Sequence, residues 1–113
     1  MSDNTERQVE IRDDPDEGAY VIDVDGERAG KAVYHMRGGR HLFVHTEIAD
    51  DFSGMGLGTR LVRFALDDVR SGGGLMVPIC PFFASYIERH PEYEDIVDHD
   101  LTDRVNRNRE QSS

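Results

Sequence analysis

The chain has 113 residues and a formal net charge of −10 at pH 7. This length accommodates one domain with a core of its own, which needs no disulfide or metal to hold it together. The acidic balance argues against nucleic acid as the main partner, because phosphate backbones are bound by basic surfaces. No apolar run approaches the roughly 20 residues of a membrane-spanning helix, so we expect no membrane partner either.

Amino-acid usage also bears on the compartment. Cys80 is the single cysteine and makes no internal disulfide, and the polar first residues are not typical of a secretory signal. We therefore expect a cytoplasmic protein. The chain also has twelve arginines but one lysine. Acidity together with lysine depletion predicts a salt-adapted protein, in which salt screens the repulsion between surface carboxylates. An ordinary acidic protein is the alternative.

In chain order, residues 1–8 are polar and aperiodic, which predicts a disordered tail. Four segments rich in β-forming residues follow, and turn signals such as Asp25-Gly26 separate them. Adjacent strands joined by short turns predict an antiparallel meander of three to four strands. The predicted strands are 9–12, 19–24, 27–36 and 41–48.

A helix is predicted over 56–70, because apolar residues recur there at helical spacing. The glycines at 72–74 end it. The apolar run 75–79 is typical of a buried strand, and a second helix is predicted over 81–89, before Pro91. The order β-β-β-α-β-α predicts an α/β protein with a mixed sheet, which is antiparallel at first and then crosses over once.

The C-terminal part is less clearly patterned. Residues 94–97 predict a short strand or a turn, and 100–105 predict a weak helical extension. Residues 106–113 are polar, and we expect them to form a frayed tail. The sequence therefore predicts a single domain over 9–105, with a tail at either end.

The stretch 53–60 reads Ser-Gly-Met-Gly-Leu-Gly-Thr-Arg and stands directly before the first predicted helix. Glycine permits positive φ and lets a ligand approach the backbone closely. The N–H groups of such a turn, together with the positive end of the helix dipole, form a site for a phosphate or pyrophosphate. A plain tight turn is the alternative.

Three kinds of phosphate-binding loop are candidates for this spacing. A Walker loop needs a lysine after its last glycine, but Gly58 is followed by Thr59. A dinucleotide-binding loop needs an acidic residue about 20 positions later, where this chain has the turn 71–74. The third is the pyrophosphate loop Q/R-x-x-G-x-G/A of the GNAT superfamily of N-acetyltransferases, in which Gly56 and Gly58 match the glycines. Ser53 replaces the usual Gln or Arg.

The resemblance to that superfamily extends over about residues 18–98. The segments HTEI (45–48), PICPF (78–82) and YIERHPEY (86–93) follow one another as in small, single-domain GNAT-like proteins. The resemblance implies a GNAT-like mixed sheet, in which an antiparallel meander is followed by β-α-β-α. It also implies acetyl-CoA or coenzyme A as the cofactor, with the pantetheine arm between two parallel strands that splay apart.

The same resemblance assigns the cofactor contacts. The backbone of 46–48 pairs with the pantetheine amides, chiefly at Ile48, and residues 53–59 hold the pyrophosphate. Arg60 and Arg63 supply local positive charge in an otherwise acidic chain. The expected cofactor-binding residues are Thr46, Glu47, Ile48, Ser53, Gly54, Met55, Gly56, Leu57, Gly58, Thr59 and Arg60.

Cys80 is the chief candidate for chemistry. It stands between the apolar strand and Pro81, and proline favours the first position of a helix. Cys80 is therefore expected at a helix N-cap, where the dipole favours a thiolate. A small buried residue that closes the strand is the alternative. The resemblance favours a functional role, because small GNAT-like proteins carry a cysteine here, near the acetyl thioester.

His45 is the best candidate for a general base, since an imidazole titrates near neutrality. It is expected to share its strand face with three side chains, namely His41, Phe43 and Glu47. The matching position in small GNAT-like proteins is also a histidine. The alternative is a packed histidine of the sheet. The other histidines lack the partner spacing of a metal site, so we expect no metal.

The resemblance implies an enzyme that moves an acetyl group from acetyl-CoA to an amine, either a small molecule or a protein lysine. Either the amine attacks the thioester directly, or Cys80 is acetylated first and passes the acetyl group on. A non-catalytic coenzyme A-binding module or sensor is the alternative, since the two N-terminal helices that cover the acceptor side of full GNAT enzymes are not seen. An acidic interaction protein with a glycine-rich turn is a third reading. We expect a monomer.

Overall fold

The computed structural model describes residues 8–112, so most of the predicted tail 1–8 lies outside the described residues. Within them, five strands form one sheet in sequence order. The strands are β1 (Val9–Asp14), β2 (Ala19–Val24), β3 (Glu27–Arg37), β4 (Arg40–Ile48) and β5 (Leu75–Pro78). The first four form an antiparallel meander, and β5 lies parallel to β4. The predicted α/β fold with a mixed sheet is confirmed.

The helices are α1 (Leu57–Ser71), α2 (Pro81–Arg89) and α3 (His99–Ser112), with short 3₁₀ helices at Asp50–Phe52 and Pro91–Ile96. Helices α1 and α2 pack on one face of the sheet. Leu61 and Ala65, from the apolar stripe that predicted α1, are fully buried in the core cluster that also holds Tyr20 of β2 and Phe83 of α2. The predicted bounds of both helices agree with the structure to within one residue.

Helix α3 covers the opposite face, where Leu101 packs against Leu42 and Val77. The frayed tail expected at 106–113 is wrong for most of its length, because the helix continues to Ser112. Neither glycine nor proline interrupts this segment, so the periodic contacts of its first turns extend into a regular helix.

The start of α3 has a clear physical cause. The Oδ1 atom of Asp98 accepts the N–H of Leu101 at 3.0 Å, and its carbonyl accepts the hydroxyl of Thr102 at 2.7 Å. This is a side-chain N-cap. The segment predicted at 94–97 as a strand or turn lies mostly in the 3₁₀ helix, and Val97 makes a single parallel bridge to Met76.

One irregularity in the β3–β4 ladder affects the site. Tyr34 pairs with Phe43, but Val33 pairs with His45, so Val44 is an extra residue on β4. Such a β-bulge shifts the alternation of side chains by one position. The side chains after Val44 therefore point to the opposite faces from those that simple alternation predicts.

Candidate functional site

Strands β4 and β5 separate part-way along their length. They pair only as far as Phe43, which lies opposite Pro78. The N–H of Cys80 then donates to the carbonyl of Phe43 at 2.8 Å. Proline has no N–H to continue a ladder, and Pro81 begins α2, so the chain leaves the sheet here. Within residues 8–112, the stretch 44–48 has no strand beside it on this side.

The backbone groups that face this gap follow from the ladder. The N–H of Ala49 donates to the carbonyl of Ala29 at 2.7 Å. Hydrogen-bonded and non-hydrogen-bonded pairs alternate along an antiparallel ladder. Thr46 and Ile48 therefore turn their N–H and C=O groups away from β3 and towards the gap. These are the groups that an extended ligand needs when it binds as an added strand.

The glycine-rich loop ends at the other side of the gap. Gly56 caps α1 in the left-handed conformation, with φ of +73°. No carbonyl or side chain in the described part of the chain accepts the N–H groups of 54–59. The first turn of α1 carries no acidic residue, so its dipole is not offset there. The loop presents free donors and partial positive charge, as an anion site requires.

The side chains of the loop contribute little to this cradle. Ser53 uses both its N–H and its hydroxyl on the carbonyl of Asp50, at 3.1 and 2.9 Å. Leu57 is buried in the core, whereas Met55 and Thr59 are exposed. The free donors of the loop thus belong to its backbone, and the replacement of the usual Gln or Arg by Ser53 leaves that backbone intact.

Arg60 and Arg63 lie on the exposed side of α1, close in sequence to the loop. Among the described side chains no carboxylate lies within ion-pair distance of either one, in contrast to Arg12, Arg28 and Arg70, which are paired. An unpaired guanidinium keeps its donors available for phosphate. The two arginines therefore form a local cationic patch on an acidic protein.

Cys80 lies where both sequence interpretations place it. It is the N-cap of α2, in an extended conformation, and its residue surface is 6% exposed. Its Sγ atom lies 3.4 Å from the Oγ1 atom of Thr46, across the gap between β4 and the start of α2. The thiol is thus buried, hydrogen-bonds to no other side chain among the described residues, and lies beside the strand edge that stays unpaired.

His45 does not share the face that the sequence analysis gave it. Because of the bulge, Phe43 and Thr46 point to one face, and His45 and Glu47 point to the other. The expectation that His45 lies beside His41 and Phe43 is therefore wrong, while its pairing with Glu47 is present. His45 Nε2 lies 2.9 Å from Glu47 Oε1, and the two side chains are 58% and 54% exposed.

Comparison with known families decides the affiliation. A family model described as GCN5-related N-acetyl-transferase matches residues 19–96, which is more than half of the chain. The chain belongs to the GCN5-related N-acetyl-transferase family. Membership supports acyl transfer in general as its activity, and the resemblance found in the sequence is confirmed. A comparison with curated proteins found no match.

The part that matches the GCN5-related N-acetyl-transferase model runs from β2 to the 3₁₀ helix after α2. It contains every predicted site residue, and it leaves out α3, which packs on the other face. The gap between β4 and β5, the glycine-rich loop and Cys80 therefore all lie within the residues that match the family model. The roles assigned to Cys80, His45 and the loop residues remain predictions.

Two residues near this gap were missed or misread by the sequence analysis. Thr46 was assigned a backbone role, but its hydroxyl is the polar partner of the Cys80 thiol. Phe82 was not considered, although its ring rests on Gly58. The β-bulge determines the face of the sheet to which Thr46 points, and no residue pattern in β4 predicts a bulge at Val44. The PICPF segment places Phe82 two residues after Cys80, and this proximity in sequence was a signal that Phe82 lies near the candidate site.

A separate cluster of polar side chains lies outside the gap between β4 and β5. The hydroxyls of Tyr20 and Tyr34 donate to Asp68 and Asp13, each at 2.6 Å. Burial and these carboxylates raise the pKa of both tyrosines, while burial lowers the pKa of His41 beside them. The bonds tie α1 and β1 to β2 and β3, which is a structural role.

The described residues lack two further features. No three or more His, Cys, Asp and Glu side chains are grouped so that they could hold a metal ion. No helix within 8–112 combines the length and the apolar composition needed to cross a membrane.

Proposed function

We propose that this protein binds acetyl-CoA in the gap between β4 and β5 and transfers the acetyl group to an amine. One observation carries the proposal: an unpaired strand edge, a free helix N-terminus and a directed thiol border the same gap in a member of an acetyltransferase family. Any one of these features occurs in proteins that bind nothing. Their convergence favours a ligand that has a diphosphate at one end and a thioester at the other.

The proposed binding mode uses the backbone at both ends. The diphosphate accepts the free N–H groups of 54–59, and the dipole of α1 favours its charge. Arg60 and Arg63 draw the polyanion to an acidic protein. The pantetheine arm lies along β4, where the N–H and C=O groups of Ile48 and Thr46 pair with its two amides.

The direct chemistry needs a base on the acceptor side. The amine attacks the carbonyl carbon of the thioester, the C–S bond breaks, and coenzyme A leaves as the thiolate, which then takes a proton from solvent. A backbone N–H near Ile48 stabilises the developing oxyanion. His45 takes the amine proton, with Glu47 holding the imidazole at 2.9 Å. Because His45 points away from Cys80, the amine reaches the gap from the face opposite the thiol.

The covalent route uses the thiol instead. Cys80 attacks the thioester, coenzyme A leaves, and the acetyl group remains on Sγ as a new thioester. The amine then attacks this carbonyl and restores the thiol. The hydroxyl of Thr46, 3.4 Å from Sγ, is placed to orient the sulfur in both steps. The two routes differ in one observable, which is an acetyl group on the protein.

Calorimetry and mass spectrometry test the proposal together. We expect coenzyme A to bind with a stoichiometry of one, and acetyl-CoA to acetylate some amine in a panel of polyamines, small amines and lysine peptides. Because Cys80 is the only cysteine, an acetyl adduct that disappears in Cys80→Ser assigns the covalent route. A flat titration with coenzyme A at high protein concentration rejects the proposal.

A non-catalytic coenzyme A-binding module is the second candidate. The observation in its favour is that His45 and Glu47 are more than half exposed, so the described residues form no enclosed pocket around them on the acceptor side of the gap. An active site that excludes water strengthens the electrostatic interactions that stabilise a transition state, and an open site lacks this effect. Binding of acetyl-CoA without turnover across the whole amine panel favours this candidate over the enzyme.

A further inference from the structure

Side chains from two other elements converge on Gly58, in the first turn of α1. A Cβ at this position would lie 2.7 Å from Cζ of Phe82 and 3.7 Å from Cγ1 of Ile48. The ring of Phe82 therefore packs directly against the backbone of Gly58. The side chain of any larger residue at position 58 would occupy the same space. Ile48 is the last residue of β4, and Phe82 is the second residue of α2. The contact thus bridges the two sides of the gap.

Phe82 differs from its neighbour in how firmly it is held. Phe83 is fully buried and stacks on Phe43 with ring centroids 4.1 Å apart. Phe82 is 39% exposed, and no aromatic partner is found for it among the described residues. An exposed side chain changes rotamer within nanoseconds, whereas a close-packed one does not. Phe83 therefore holds α2 on the core, whereas Phe82 is the more exposed and less tightly packed of the two rings.

We propose that Phe82 is a side-chain gate over the gap between β4 and α2. This inference rests on the proposed function, because the gap is the path assigned to the pantetheine arm. That path runs from the N–H groups of 54–59 to the thiol of Cys80, and Gly58, Ile48 and Phe82 stand between its two ends. Seated on Gly58, the ring closes the empty gap and shields the thiol. When the pantetheine arm binds, it displaces the ring of Phe82, and the ring then packs against the arm.

The lone cysteine provides a direct readout of the gate. Alkylation by iodoacetamide, followed by intact-mass spectrometry, reports on Cys80 alone because the chain has no other thiol. A minor open state of this kind is populated to about 10% or less. Removing the gate in Phe82→Ala should therefore raise the alkylation rate by about tenfold or more. Phe82→Leu, which is too short to reach Gly58, should do the same and preserves an apolar residue at the site.

Phe64 supplies the matched control. It is a phenylalanine on α1 that is 37% exposed, and its ring lies against Tyr20, away from the gap. Phe64→Ala removes the same surface group and should leave the alkylation rate within about twofold of the parent, because surface changes away from special features have small effects. Gly58→Ala is the complementary variant. Its Cβ occupies the place of the ring, so it should expose Cys80 without altering Phe82.

Coenzyme A separates failure of the gate from failure of the proposed function. If both the gate and the proposed function hold, excess coenzyme A protects Cys80 in the parent and in the Phe82 and Phe64 variants, and Phe82→Ala binds coenzyme A with a faster association rate. If the gap does not bind coenzyme A, protection is absent in every variant, but the rise in Phe82→Ala remains. An alkylation rate in Phe82→Ala and Phe82→Leu that equals the parent rate overturns the gate, as does an equal rise in Phe64→Ala.

Discussion

Replacing Gly56 by alanine distorts the phosphate loop while adding only one methyl group. Gly56 caps α1 with φ of +73°, and a Cβ there meets no atom within 4 Å. The substitution therefore acts through backbone strain, which for an L-residue in the left-handed region is about 1–2 kcal/mol. The loop relieves that strain by rotating its peptide planes, which turns N–H groups of 54–59 away from the proposed diphosphate.

The expected loss of affinity follows from the bonds that are misdirected. A hydrogen bond to a charged group contributes about 1.5–3 kcal/mol. Losing one of them weakens coenzyme A binding by about ten- to a hundredfold. Calorimetric titration of coenzyme A into Gly56→Ala and the parent protein measures this ratio, and thermal unfolding of the free proteins measures the strain.

Gly73→Ala is the matched control for this prediction. Gly73 follows α1 with φ of +72°, and a Cβ there also meets nothing within 4 Å. The same strain should lower the melting temperature by a similar amount, while coenzyme A affinity stays unchanged. The reasoning is refuted if Gly56→Ala binds coenzyme A as tightly as the parent, or if Gly73→Ala loses the same affinity.

Three further predictions concern the thiol, helix α3 and salt. Thr46→Val removes the hydroxyl beside Sγ and should slow formation of acetyl-Cys80 by about fivefold to tenfold, whereas Thr46→Ser should retain the parent rate; equal rates for both variants in mass spectrometry contradict this role. The N–H of Leu101 and the guanidinium of Arg40 lower the pKa of Asp98, so this carboxylate stabilises the fold above its unfolded pKa and ceases to do so as the pH falls through its folded value. The melting temperature of Asp98→Asn should accordingly lie below that of the parent at pH 7 and converge with it below the usual aspartate value of about 3.9; a constant gap between the two would argue against the cap. The melting temperature of the parent should rise from low to multimolar KCl, because salt screens a net charge of −10, and an unchanged value would count against salt adaptation.

Local sequence signals were sufficient for the elements that depend on neighbouring residues. The alternating and β-branched residues of β2 and the apolar stripe of α1 predicted both elements to within one residue. The glycine-rich loop and Pro81 likewise predicted the start of α1 and the N-cap at Cys80. Each of these depends on a few consecutive residues and on backbone preferences that no distant contact overrides.

Features that depend on two distant segments escaped the sequence analysis. The bulge at Val44 is a property of the β3–β4 register, so the face of His45 could not be read from β4 alone. Helix α3 is polar, and its contacts to Leu42 and Val77 come from elements far away in sequence. Asp98, which caps the N-terminus of α3, is a residue type that favours helix N-caps, so the start of this helix could have been predicted from the sequence. The extent of the single domain, the monomeric state and the cytoplasmic location stay predictions.

An amide-resolved NMR titration with coenzyme A tests the central claim most directly. The account predicts saturable shifts of the N–H signals of 54–59, together with those of Thr46 and Ile48, at one equivalent of ligand. The glycine signals of Gly26, in the turn between β2 and β3, and of Gly73, in the turn between α1 and β5, should not move. Absence of shifts in the loop, or shifts confined to residues outside the gap, would contradict the account.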